Sequence, residues 1–256
     1  NSNKINSEED VRAIFNNFKI DAVIHFAGIK SVSEFYSFPL ESMNKELSLA
    51  SNILTVMKEF NVKKIKVGHA GTLDPLATGL LIICTGKFTK KIAELQGQIK
   101  TYTGTISLGK TTPSYDLETE FDADFNTEHI TEQQLLSTAE LFTGDIQQRP
   151  PVFSALKKEG KRLYEYARAG ESVEIPTRQV SVHSFTIAPK TFPTIAFEVV
   201  CSKGTYIRSL AHDYGKALKS GAHLSSLRRT KIGDFNVNNA IDAASFKDLL
   251  EKNTAP

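Results

Sequence analysis

The chain is poor in the features that mark exported, membrane-spanning or metal-dependent proteins. It has two cysteines, Cys84 and Cys201, each within an apolar or strand-like run. Two separated thiols make no disulfide framework, and the cytoplasm is the expected compartment. No group of cysteine and histidine has zinc-ligand spacing, so no metal is expected. No apolar run approaches bilayer-spanning length, and Asn1-Ser2-Asn3-Lys4 opens no signal-peptide pattern, so no membrane association is expected. Internal repeats and low-complexity stretches are absent. So is a large charge of one sign: 31 Lys/Arg against 29 Asp/Glu leave a net +2.

What is present is the composition of an ordinary soluble globular protein. It is 40% hydrophobic and 23% charged over 256 residues, enough to bury one full core or two small ones. The small net charge hides a split. Residues 1–62 hold six Lys/Arg and eight Asp/Glu, whereas the remainder is net basic by four. Its basic residues cluster at Lys63, Lys64 and Lys66; at Lys87, Lys90 and Lys91; at Lys157, Lys158, Lys161 and Arg162; and at Arg228, Arg229 and Lys231. One such cluster is ordinary solvated surface. Four of them, each near glycines or aromatics, outline a footprint for a phosphate backbone.

The most informative stretch is Gly68-His69-Ala70-Gly71-Thr72-Leu73-Asp74-Pro75-Leu76-Ala77-Thr78-Gly79. It sets one acid among glycines and small side chains, and the apolar run Leu80 to Cys84 follows as a buried strand or core segment. Pro75 fixes its own φ and pushes Asp74 out of the helical region. Glycines on both sides let the backbone turn tightly and approach a ligand closely. On spacing alone an Asp-Pro step is a turn, with Asp74 a cap.

As a twelve-residue string, Gly68 to Gly79 resembles the catalytic motif of the TruB family of tRNA pseudouridine-55 synthases. The resemblance continues in order through Lys100 to Gly109, Thr111-Thr112 to Asp116, Pro150 to Lys157, Gly160 to Arg168, Cys201 to Leu210, and Gly221 to Thr230. It covers about residues 63–244. It implies Asp74 as the catalytic carboxylate, Arg208 as its guanidinium partner, and Tyr102 as the ring that stacks on a flipped uracil. His69 would brace the gap left in the RNA loop, Tyr206 would line the pocket and Leu227 would form its apolar wall. Lys157, Lys158, Lys161 and Arg162 would belong to an RNA-clamping insertion at about 143–177. The implied reaction is isomerisation of uridine 55 in the tRNA T-arm loop, with no cofactor, by a monomer. Without the resemblance, Arg208 reads as a surface arginine at a strand end, Tyr102 as a core strand aromatic and His69 as a turn histidine.

The first 62 residues do not fit this pattern. Ala22 to Lys30 and Val56 to Ile65 resemble part of UDP-glucose 4-epimerase, an extended short-chain dehydrogenase/reductase, with a capped helix from Ser7, a strand at Asp21–Gly28 and a helix from Leu40 to Phe60. The Gly-rich phosphate turn of a dinucleotide-binding domain is missing from this fragment. So is the Lys-Pro-x-Gly-type strand with which TruB-type enzymes usually begin. The expected organisation is an epimerase-like βα fragment at 1–62 followed by a catalytic domain at 63–256. A small C-terminal RNA-binding domain is not expected. The rival expectations are an RNA-binding relic that has lost turnover and a nucleotide-sugar or NAD-binding protein.

Local patterns give the fold class. Tyr102 to Leu108, Arg178 to Ile187 and Thr194 to Cys201 alternate as strands do, the last two as an antiparallel pair. Thr131 to Phe142 reads as a helix with Thr131 as N-cap and Gly144 as stop, and Ser209 to Lys219 as a helix ended by Ser220-Gly221. Strands and helices without strict alternation predict an α+β fold. The resemblance makes it a pseudouridine synthase-like central mixed or antiparallel sheet with surrounding helices and an RNA-binding cleft, preceded by the short Rossmann-like fragment.

Overall fold

The computed structural model describes residues 66–242, apart from 155, 159, 170 and 172, together with residues 12 and 245. The strand and helices expected between Ser7 and Phe60 lie outside the described residues. The chain divides into two units, one of residues 1–69, 83–92 and 241–256, the other of 70–82 and 93–240.

In chain order the strands and helices are β1 (Val67–His69), β2 (Thr78–Gly79), β3 (Ile83–Thr85), α1 (Ile92–Gly97), β4 (Lys100–Leu108), β5 (Lys110–Thr111), β6 (Ala123–Asp124), α2 (Glu132–Glu140), β7 (Gly144–Gln148), β8 (Lys157–Lys158), β9 (Lys161–Arg162), α3 (Leu163–Arg168), β10 (Arg178–Thr191), β11 (Thr194–Cys201), α4 (Ile207–Ala217), β12 (Ala222–Ile232) and β13 (Phe235–Asn236). In the first unit β1 and β3 pair antiparallel, Gly68 opposite Cys84, and the Cys84 side chain is buried.

The second unit is built on one sheet in the order β13-β12-β4-β11-β10-β7, all antiparallel, with β2 added in parallel onto β12. The mixed, mostly antiparallel sheet is the expected one. Alternation places Ile106 opposite Ile195 in the β4–β11 ladder, and both are buried with Leu108, Phe197, Val199 and Cys201. Against this apolar face lies α4, whose Ile207, Leu210, Ala211 and Tyr214 recur at helical spacing and are all buried. Tyr214 also packs edge-on to Phe185 at 5.6 Å between ring centroids, and its hydroxyl donates to the Leu135 carbonyl of α2 at 2.9 Å. Helix α2 starts where expected: Thr131 and Gln134 form a reciprocal capping box.

Three elements differ from the sequence expectation. Helix α4 begins two residues early, at Ile207, because the amide of Gln148 accepts from the Tyr206 N–H at 2.8 Å and donates to the Tyr206 carbonyl at 3.0 Å, holding the N-cap from another strand. The apolar run Leu80 to Cys84 is not one strand. Leu80 exchanges its backbone groups with Arg229 of β12, the Ile82 carbonyl accepts from Ala70 N–H, and β3 begins only at Ile83. Residues Gly144–Gln148 form the edge strand of the main sheet, so the stretch expected as an RNA clamp begins inside the core architecture.

Candidate active site

The loop that carries Asp74 is clamped at both ends. Ala70 N–H donates to the Ile82 carbonyl at 2.9 Å, and Ala77 N–H to the Asp74 carbonyl at 2.9 Å, which closes a turn at the acid. Gly79, at φ +102°, lies against β12. A Cβ on it would stand 2.2 Å from the Arg229 carbonyl oxygen, so only glycine fits. The Arg229 side chain reaches the same loop, its Nε donating to the Leu80 carbonyl at 2.8 Å, Nη1 to Thr72 at 3.2 Å and Nη2 to Gly71 at 3.1 Å. Arg229 is 2% exposed. It was expected as part of a basic surface cluster; burial takes it out of reach of a phosphate, and its charge is spent on backbone carbonyls. Arg228 and Lys231 of that cluster are exposed.

Arg208, the second residue of α4, is 3% exposed and grips Asp74 side-on, with Nε to Oδ2 and Nη2 to Oδ1 both 3.0 Å. Its Nη1 donates to the carbonyls of Phe153 at 3.0 Å and Ser114 at 3.3 Å. A second carboxylate, Asp116, lies 3.6 Å from Nε with its side chain 5% exposed. A planar fork of donors suits this work, since it can bind a carboxylate at two points and still serve carbonyls. The Asp74 side chain remains 31% exposed.

The loop that presents Ser114 and Asp116 is itself held. Tyr115 adopts φ +65°, stacks on His212 of α4 at 3.9 Å, and accepts at its carbonyl from Leu224 N–H at 2.9 Å. Asp116 Oδ1 accepts from the Glu118 N–H at 3.0 Å. Burial pushes the Tyr115 hydroxyl up and holds His212 below the usual histidine range.

Asp74, Tyr102, Ser154, Tyr206, Arg208 and Leu227 line one cleft of about 570 Å³, a size that admits a small ligand. Tyr102 stands on β4, and burial raises its hydroxyl above the ordinary tyrosine range although Arg229 beside it acts the other way. Leu227 sits opposite Gly104 in the β12–β4 ladder. The Tyr206 ring lies under the Arg178 guanidinium, 4.6 Å away. Lys100, 6% exposed, also lines the cleft and donates to the carbonyls of Gln96 at 2.5 Å and Gln98 at 2.6 Å, where α1 ends. Burial lowers its pKa.

Five expected site residues therefore meet: Asp74, Arg208, Tyr102, Tyr206 and Leu227. His69 is exposed on β1 in the first unit. Lys157 is paired with Arg162, and Lys158 with Lys161, in the backbone register of the β8–β9 hairpin. Lys161 Nζ pairs with Glu171 at 2.9 Å and covers the Tyr166 ring, and Lys158 Nζ donates to the Glu174 carbonyl at 2.9 Å. Sequence reasoning named Asp116 only as the end of a motif and passed over Gln148; neither carries a local signal for its role. Among the described residues no group of three or more His, Cys, Asp or Glu is placed to hold a metal ion.

A carboxylate held at two points by a buried arginine thus opens, with the Tyr102 ring, onto a cleft of small-ligand size. Comparison with known proteins specifies the class. The TruB family pseudouridylate synthase model (N-terminal domain) matches residues 58–207, and the tRNA pseudouridylate synthase B C-terminal domain model matches 208–255; the chain belongs to the TruB family. The C-terminal match includes α4 and β12. The NAD dependent epimerase/dehydratase family model matches residues 3–76.

The tRNA pseudouridine synthase B of Flavobacterium johnsoniae is 65% identical over 189 residues, which span 74% of this chain and 82% of that protein. The protein of the same name from Parabacteroides distasonis is 54% identical over 196 residues, 77% of this chain and 83% of that one. Among solved structures, a Cbf5-Nop10-Gar1 complex contains a chain 28% identical with a TM-score of 0.50, covering 75% of this chain and 46% of that one. An H/ACA RNP bound to a substrate RNA containing 2′-deoxyuridine shares the fold, at 24% identity and a TM-score of 0.53 over 81% of this chain and 52% of that one. The chain thus spans about half the length of those two solved chains.

Proposed function

We propose that this chain isomerises uridine 55 in the T-arm loop of tRNA to pseudouridine. The reaction breaks the N1–C1′ bond, turns the uracil and joins C5 to C1′; the C5 proton leaves to solvent and N1 gains one. Atoms and electrons balance without a redox partner or energy input, so no cofactor is called for. The observation that carries the reading is the two-point Asp74–Arg208 pair at the cleft.

Asp74 is the catalytic carboxylate that compensates the positive charge developing on the sugar as the bond breaks. Arg208 compensates its charge and keeps it aimed through two hydrogen bonds. Tyr102 stacks on the uracil once it has left the RNA stack, offsetting part of the few kcal/mol that flipping costs. Leu227 forms the apolar wall and Tyr206 lines the pocket. His69 braces the emptied RNA loop. Lys157, Lys158, Lys161 and Arg162 form the clamp on the T-arm, recognising shape and phosphates rather than base edges. The enzyme works as a cytoplasmic monomer, from a catalytic domain at 63–256. A binding relic would not need the pair intact, which favours turnover.

The test is tritium release from a T-arm stem-loop labelled at C5 of the target uracil. Release by the native chain and none by Asp74→Asn, with stem-loop binding retained, is the expected result. Absence of release by a folded native chain overturns the proposal, and near-native release by Asp74→Asn removes Asp74 from its role.

A further inference from the structure

We infer that Arg229 is a positioning residue for the reaction: it sets the Asp74 loop against the ring of Tyr102. The inference rests on the uridine-isomerising reading above. Asp74 addresses the sugar and Tyr102 addresses the base, and during isomerisation the base turns while the sugar stays. The two side chains come from different elements, a loop and a β-strand. Something must set the distance between them, and errors of about 1 Å in such an arrangement cost up to roughly a hundredfold in rate.

Arg229 is placed to do so. In the β12–β4 ladder it stands opposite Tyr102, so the two side chains leave the same face of the sheet and the guanidinium lies beside the Tyr102 hydroxyl. The same guanidinium holds the carbonyls of Gly71 and Thr72 before Asp74 and of Leu80 after it. An arginine has five N–H donors. Three go to the loop, and each terminal nitrogen keeps one more, so donors remain for the neighbouring hydroxyl without giving up a carbonyl. The Arg229 backbone adds to the hold, accepting from Leu80 N–H at 2.8 Å. A lysine cannot reproduce this, because a single ammonium cannot reach carbonyls on both sides of the loop and a hydroxyl at once. Arg229 is 2% exposed, so direct contact with RNA does not explain it.

Arg229→Lys, Tyr102→Phe and the double variant test the inference in the full chain. Tritium release from the T-arm stem-loop gives kcat and KM, filter binding gives Kd, and thermal melting reports the fold. Arg229→Lys is expected to lower kcat at least about tenfold while KM and Kd stay within about twofold, the signature of an interaction felt in the transition state rather than in binding. Tyr102→Phe keeps the ring, loses the link and lowers kcat less. The loss in the double variant falls short of the product of the single losses.

A native kcat in Arg229→Lys overturns the inference, as does a parallel loss of kcat and Kd, or single losses that multiply. Should Arg229→Lys fail to fold, Tyr102→Phe decides: a native kcat there overturns the link, and a reduced one upholds it. No release by the native chain overturns the isomerase reading and this inference together. Release by the native chain with full-rate Arg229→Lys overturns only the role of Arg229.

Discussion

Arg208 is shared by two aspartates of opposite exposure: it binds Asp74 at two points of 3.0 Å each and lies 3.6 Å from Asp116. The Asp116 side chain is 5% exposed and that of Asp74 31%. The buried acid anchors the guanidinium from behind, and the other faces the cleft. One guanidinium between two carboxylates leaves the group formally net acidic, which suits the role proposed for Asp74 toward the sugar.

Asp116→Asn should therefore weaken both fold and reaction. It removes a charge 3.6 Å from a buried arginine, and since Asp74 still pairs with that arginine the loss is about 1–2 kcal/mol, below that of a buried charge left wholly unpaired. The urea midpoint should fall by a matching amount and tritium release should slow, with stem-loop binding retained. A variant with native stability and turnover would mean that Asp74 and the carbonyls of Ser114 and Phe153 hold Arg208 unaided.

Gly79→Ala places a Cβ 2.2 Å from the Arg229 carbonyl oxygen at a backbone φ of +102°. Strain and steric conflict act in the same direction, and a loss of at least about 2 kcal/mol is expected in chemical denaturation. Turnover should fall further than stem-loop binding, because the loop end that moves belongs to Asp74. An unchanged denaturation midpoint would show that the loop can leave β12 at no cost.

Tyr102→Ala removes the ring proposed to stack on the uracil. Loss of an aromatic stacking contact costs about 1–3 kcal/mol per base, so single-turnover release should slow roughly ten- to a hundredfold. A native rate would reduce Tyr102 to a packing residue at the edge of the core.

Cys201 predicts a pH dependence of stability. It is fully buried, and burial pushes its thiol from 9.0 to about 11. The folded-state value lies above the unfolded one, so the folded chain holds its proton longer. Between about pH 9 and 11 the unfolded chain ionises first, and stability falls as pH rises, by about 3 kcal/mol when complete. Denaturation midpoints at pH 8 and pH 10.5 should differ more in the native chain than in Cys201→Ala. Equal differences in the two proteins would rule the thiol out as the cause.

Much of the second unit was legible in the residues. Alternation along Tyr102–Leu108, Arg178–Ile187 and Thr194–Cys201 identified three strands because period-two burial is a local property of an extended chain. Thr131 marked the start of α2 because an N-cap is a local signal, which Gln134 completes as a capping box in the fold. Asp74 stood out through the likeness of Gly68 to Gly79 to a family motif, since by spacing alone an Asp-Pro step reads as a turn.

What depended on distant partners was not legible. Arg229 carries the same side chain as the exposed Arg228 and follows it directly, yet strand alternation turns one outward and the other under the Asp74 loop. Gln148 looked like an ordinary polar residue until β7 brought it against Tyr206, some sixty positions away. The sequence by itself determined the local elements, the acidic loop and its family likeness, since each rests on neighbouring residues and backbone preferences. Only the tertiary structure decided which charges are buried, which carboxylate shares Arg208, and which arginine joins Asp74 to Tyr102, because a side chain's electrostatic role depends on the groups folding places around it.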